Sequence, residues 1–274
     1  MRSFLFLLQV SRPILWPVLP LVYALGLHAA RAELRTAVFL QLALLTFPMN
    51  LIGCGLNDIY DYESDRRSAR RKAIWGAVVH SQDRTLVWRA SWAMVPLLIG
   101  GACTTYNAWN IAATTCLVLM AWLYSVPPIR LKERPPLDAF ANGLGFFLLP
   151  FTMGYSLGAD PPAMPMRYYL LALCVCGIHA LATAADYDAD QAAGHRTFAV
   201  ALGRRRALAF ACVTFVTAWL WGNFQGLSVR AFLLVGAVAT LVAAVFPLGR
   251  VIATACSIVF GGFLIAAIWH IFLS

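Results

Sequence analysis

Five carboxylates in two short stretches carry the chemistry this chain could perform. In NDIYDYESD, residues 57–65, a helical twist of about 100° per residue puts Asp58, Asp61 and Asp65 within about 60° of one another. Asn57 adjoins that arc and Glu63 falls on another face. In DYDADQAAGHRT, residues 186–197, Asp186 and Asp190 are four apart and share a face, while Asp188 points about 160° away from Asp186. Aligned carboxylates repel one another unless a cation lies among them. Their hard oxygens favour Mg²⁺ over zinc or copper, and Mg²⁺ completes its shell with waters and substrate phosphates. Basic groups for such a phosphate follow each cluster: Arg66 and Arg67 after the first, Arg196 beside the second, and Arg130 and Lys132 in YSVPPIRLKERPP. The chemistry expected is therefore that of a metal-bound diphosphate.

These residues must be held by membrane-spanning helices. Of 274 residues, 61% are hydrophobic and 12% charged, against roughly 25% charged in soluble domains. Nine apolar stretches, approximately 5–28, 36–57, 85–106, 108–125, 137–158, 167–186, 206–222, 229–248 and 251–273, are each long enough to cross a hydrocarbon core as a helix. With the N-terminus in the cytoplasm, all of the 21 Lys and Arg residues except Arg31, Arg35, Arg167 and Arg230 lie on the cytoplasmic side. This is the bias of the positive-inside rule. It accounts for the net charge of +9 without nucleic acid, leaving attraction to anionic lipid headgroups in the bilayer. Both carboxylate clusters fall at cytoplasmic helix ends, so they can face each other across one cavity.

Residues 1–32 resemble a signal peptide ending in Ala30-Arg31-Ala32, but Arg12 and Pro13 interrupt the apolar stretch, so it is read as the first span. The seven cysteines are scattered, and Cys174-x-Cys176 has neither zinc-ribbon nor thioredoxin spacing; small buried hydrophobes are expected.

A metal ion stabilises the charge that develops on a departing diphosphate as its C–O bond breaks. If the diphosphate leaves an allylic isoprenoid, the remnant is a carbocation, which aromatic faces such as Tyr60, Tyr62, Tyr124 and Tyr187 can stabilise. Few polar groups lie inside the spans. Asn50, Asp138 and Asn142 are exceptions, and the last two share a face of the fifth span, where they could contact an acceptor, orient a base or satisfy neighbouring backbone.

NDxxDxxxD at residues 57–65, DxxxD at 186–190 followed by Gly194, Arg196 and Thr197, and YSxPPxRxK from residue 124 together resemble the motifs of the UbiA superfamily of intramembrane prenyltransferases. The resemblance covers essentially the whole chain as one domain, residues 1–274. It implies an all-α, polytopic membrane protein with nine transmembrane helices around a central cavity open sideways to lipid. It also implies two Mg²⁺ ions that bridge a prenyl diphosphate to both motifs, with Asn57, Asp58, Asp61, Asp65, Asp186 and Asp190 as ligands. Tyr124, Arg130 and Lys132 match the loop that covers the diphosphate. Arg12, in SRPILW, matches a recurrent start of the first helix, where an intramembrane charge should face the cavity. His195 departs from relatives and is expected to be an exposed loop histidine beside Arg196.

MNLIGCGLNDIYDYESD and YSVPPIRLKERPPLDAFANGLGFFLLPFTMGY are similar to the lycopene elongase branch. That similarity implies transfer of five-carbon units from dimethylallyl diphosphate to a carotenoid, with a quinone precursor or another lipid as the alternative acceptor. A divalent-cation transporter would need acidic residues near the centre of a span, and these spans carry none there. The expected location is a bacterial or archaeal cytoplasmic membrane.

Overall fold

The computed structural model describes residues 2–62 and 77–273, and among them every regular element is helical. The α-helices are α1 (Arg2–Val10), α2 (Val18–Ala29), α3 (Thr36–Leu44), α4 (Phe47–Tyr60), α5 (Arg84–Cys103), α6 (Ala108–Ser125), α7 (Leu137–Asn142), α8 (Leu149–Tyr155), α9 (Met166–Ala185), α10 (Tyr187–Ala193), α11 (Phe198–Leu202), α12 (Arg204–Trp221), α13 (Leu227–Val245) and α14 (Gly249–Phe272). Among the described residues six stretches are long and apolar enough to cross a membrane: Thr36–Tyr60, Arg84–Cys103, Ala108–Ser125, Met166–Ala185, Leu227–Val245 and Gly249–Phe272. A bent pair, α1 with Pro13–Ala29, adds a seventh at 47°. The protein is an integral membrane protein: α14 turns Ile265, Trp269 and Phe272 outward, an arrangement only lipid tolerates along a whole helix.

Three of the nine expected spans differ from simple crossings. The first breaks at Arg12, because Pro13 has no N–H and Arg12 takes a left-handed φ of 53°. The fifth is divided into α7, a π-helical turn over Gly143–Leu148, and α8. The seventh, α12, starts on three successive arginines, Arg204–Arg206.

The chain forms two compact units, Met1–Arg130 with Leu149–Pro161, and Leu131–Leu148 with Pro162–Ser274. In the first, Leu19, Leu45, Met49, Ile52, Leu56 and Leu117 pack a core from α2, α3, α4 and α6. Near one end of that core lies a buried polar network. Tyr23 donates its hydroxyl to Gln41 Oε1 (2.7 Å), Gln41 Nε2 donates to Asn110 Oδ1 (2.6 Å), and Asn110 Nδ2 donates to Met153 O (2.8 Å). Four helices are thus tied through groups that apolar surroundings would penalise if left unmade. Asn110→Leu, which strands Gln41, is expected to lower stability by about 2 kcal/mol. Thermal unfolding in detergent would measure the loss.

In the second unit α9, α12, α13 and α14 pack around Phe215 and Phe232, whose rings meet edge to face at 5.5 Å.

Candidate functional site

The first cluster sits at the end of α4 away from the Tyr23–Gln41–Asn110 network. Helix α4 stops at Tyr60, and Asp61 caps it rather than continuing the helix. Asp58, one turn back, is fully buried and forms an ion pair with Arg12 (2.5 Å). The left-handed backbone of Arg12, between α1 and α2, places the guanidinium there. Ser11 and Trp16 secure the break, with Trp16 Nε1 donating to Ser11 Oγ (3.1 Å) and Ser11 Oγ donating to Leu8 O (2.8 Å). Asp61 pairs with Arg130 at 3.2 Å, both side chains being less than one fifth exposed. Arg130 also has positive φ, 43°, so Arg12 and Arg130, which meet Asp58 and Asp61, both come from strained backbone. Asn57 Oδ1 receives Ser125 Oγ at 3.5 Å, and the neighbouring Tyr124 is partly buried. Asp65 and Arg66 lie outside the described residues.

Asn50 has a local task. Pro48 interrupts the hydrogen-bond ladder between α3 and α4, and Asn50 Nδ2 donates to Leu45 O (3.2 Å) and Thr46 O (2.8 Å). The amide thereby caps Leu45 O and adds a second donor to Thr46 O, which already accepts from Asn50 N (3.1 Å).

The second cluster lies in the other unit, at the junction of α9 and α10. Asp186 ends α9 and caps α10; Asp186 and Asp190 are partly buried, and Asp190 Oδ2 accepts from Thr197 Oγ1 (3.0 Å). Asp188 points away, as its spacing requires, and pairs in the open with Arg204 (2.6 Å). His195 is not the exposed loop residue expected: it is only one fifth exposed and its Nδ1 lies 2.9 Å from Glu133 Oε1. Arg196 is exposed, and Lys132 is partly buried.

Asp138 is fully buried and takes three contacts. Oδ1 accepts from Ala139 N (2.9 Å), while Oδ2 accepts from Phe198 N (2.7 Å) and lies 3.4 Å from His179 Nε2. Asn142 Nδ2 donates to Asp138 O (2.8 Å), so its amide nitrogen serves the end of α7. His179 was absent from the residues singled out by motif. Its signal is spacing: it precedes Asp186 by seven residues, two helical turns on the same face.

Asn57, Asp58 and Asp61 in the first unit, and Asp186 and Asp190 in the second, each offer oxygen atoms, the donor type a hard divalent cation takes. Among the described residues no three His, Cys, Asp or Glu side chains converge on a single point. Oxygen donors of this kind suit Mg²⁺, which binds through one or two carboxylates plus phosphate.

The model of the UbiA prenyltransferase family matches residues 14–255. A lycopene elongase/hydratase of Corynebacterium glutamicum is 28% identical over 222 residues, 80% of this chain and 76% of that protein. The lycopene elongase/hydratase of Halobacterium salinarum is 30% identical over 220 residues, covering 76% and 74%. A solved UbiA homolog from Archaeoglobus fulgidus, bound to DMAPP and Mg²⁺, shares the fold with a TM-score of 0.67 at 21% identity, over 95% of this chain and 99% of that one.

Proposed function

The chain belongs to the UbiA prenyltransferase family, and from that premise we propose that this prenyltransferase moves an allylic group from a prenyl diphosphate to a lipophilic acceptor in the membrane. The acceptor we favour is a carotenoid such as lycopene, and the group a five-carbon unit from dimethylallyl diphosphate. Similarity to the lycopene elongase/hydratases supports that choice. The observation that carries the reading is the contact of Asp61 with Arg130 at 3.2 Å, a hard-cation ligand beside a donor for phosphate oxygens.

Held by Asn57, Asp58, Asp61, Asp65, Asp186 and Asp190, Mg²⁺ would supply Lewis-acid stabilisation to the leaving diphosphate. Arg130, Lys132, Arg66 and Arg196 bind phosphate oxygens as charged donors, and Tyr124 opens the stretch that carries Arg130 and Lys132. The C–O bond breaks with its electron pair on the diphosphate. An acceptor double bond then attacks the allylic cation, and the apolar spans around it keep water from intercepting it. Nine crossings suit this chemistry: the six long helices, the bent α1–α2 pair, the interrupted α7–α8 segment and α12. The N-terminus and both carboxylate clusters are then cytoplasmic, as the placement of Lys and Arg indicates.

Lycopene-producing bacterial cells expressing the protein should accumulate carotenoids heavier by one or two five-carbon units. In Asp61→Asn, which keeps an oxygen ligand but loses its charge, that yield should fall at least about tenfold at equal membrane abundance. Unchanged lycopene in cells with the inserted native protein would sink the carotenoid assignment. Heavier products at undiminished yield from Asp61→Asn would remove Asp61 from the metal site.

A further inference from the structure

Prenyl transfer to an alkene ends on a second carbocation, on the acceptor, which must lose a proton or gain water. The motif residues do not account for that step. From the geometry of the second unit we infer that His179 is the base that removes the proton, with Asp138 as its positioning residue; this rests on the prenyl-transfer reading.

Helix α9 runs without interruption from Met166 to Ala185, and Asp186 N still donates to Ala182 O (3.1 Å). Helical phase therefore holds from His179 to Asp186. Seven residues put His179 about 10 Å from Asp186 along the axis and within about 20° of it around the helix. A diphosphate bound at Asp186, the allylic carbon and the new carbon–carbon bond occupy about that length, so the acceptor cation would form at the level of the imidazole.

Asp138 Oδ2 lies 3.4 Å from Nε2, and the tautomer with its hydrogen on Nε2 donates to that oxygen and leaves the lone pair on Nδ1. Among the described residues Nδ1 has no hydrogen-bond partner, and the side chain is 15% exposed. Asp138 cannot turn away, because backbone N–H groups at the starts of α7 and α11 hold its two oxygens. Gly143 fixes the same register, since a Cβ there would lie 2.4 Å from Cys176 Sγ and 2.7 Å from Ala172 O of α9. A hydrogen-bonded carboxylate orients an imidazole and stabilises the imidazolium that follows proton uptake.

The step balances. The acceptor double bond forms the C–C bond to the allylic carbon and leaves a cation on its other carbon. A neighbouring C–H bond breaks, its proton goes to His179 Nδ1, and its electron pair closes a new double bond. The imidazolium later returns the proton to water.

The test uses membranes containing the full chain, lycopene and dimethylallyl diphosphate, following diphosphate release and the masses of the carotenoid products. In His179→Gln, diphosphate release should stay within about threefold of native while the alkene product falls about 100-fold, with water-quenched product, one water heavier, rising in its place. Imidazole added to His179→Ala should restore the alkene. Asp138→Asn should shift the same product ratio with KM for the diphosphate unchanged, an effect that simple destabilisation would not produce. The inference fails if native membranes elongate lycopene and His179→Gln gives the native product ratio. It fails equally if diphosphate release falls in parallel with product, or if the native product is wholly hydrated. Native membranes that leave lycopene untouched would overturn the carotenoid reading, and this inference with it.

Discussion

Arg12→Met is expected to remove nearly all activity, at least about 1000-fold, and to lower stability by about 3 to 5 kcal/mol. Arg12 is a guanidinium that meets Asp58, a carboxylate with no solvent exposure at the start of the first motif. Methionine keeps much of the side-chain volume and removes the Arg12 charge from that buried carboxylate. A shift of Asp58 then disturbs the turn of α4 that carries Asn57 and Asp61. Backbone and charge can be separated. Arg12→Gly should relieve the left-handed φ of 53°, worth about 1 kcal/mol, and still lose activity as Arg12→Met does. Arg12→Met combined with Asp58→Leu should recover much of the stability and none of the activity. Product mass and detergent unfolding, measured together, check both halves. Native activity in Arg12→Met would remove the ion pair from any role in the site.

Gly154→Ala and Gly26→Ala should each destabilise the first unit by about 3 kcal/mol or more, and the pair should fail to fold. These glycines make a reciprocal crossing of α2 and α8. A Cβ at Gly26 would stand 2.1 Å from Phe151 O, and one at Gly154 would stand 2.1 Å from Tyr23 O. Backbone carbonyls cannot swing aside as side chains do, so the helices must separate by about an ångström along their contact. Tyr23 belongs to that contact and donates to Gln41, so separation also loosens the buried network. Gly53→Ala supplies the control. Gly53 also lies inside a helix, with nothing within 4 Å of the added methyl. Alanine there should stabilise by about 0.5 to 1 kcal/mol. If Gly53→Ala and Gly154→Ala unfold at the same temperature, close packing at the crossing is not what holds α2 against α8.

The sequence by itself determined the membrane class, the all-helical architecture and the family. Those properties are local: apolar runs set by bilayer thickness, the placement of Lys and Arg, and carboxylates at fixed spacing along a helix. Asp188 pointing away from Asp186 was legible for the same reason, since helical phase needs no partner. What required tertiary structure is which charge answers which. Arg12 reads as an awkward cation within an apolar span, yet it is the partner of Asp58, 46 residues away. Asn50 reads as a polar group available to substrate, but a proline break two residues earlier gives it two carbonyls to cap. Asp138 acquires its meaning from Phe198 and His179, which only folding brings to it. Crossings fixed by backbone contact, such as Gly26 on Phe151, are silent in sequence because a glycine in an apolar run carries no sign of what approaches it. Helical periodicity acts within one segment. Ion pairs and close approaches depend on which segments meet, and the packing of the folded chain decides that.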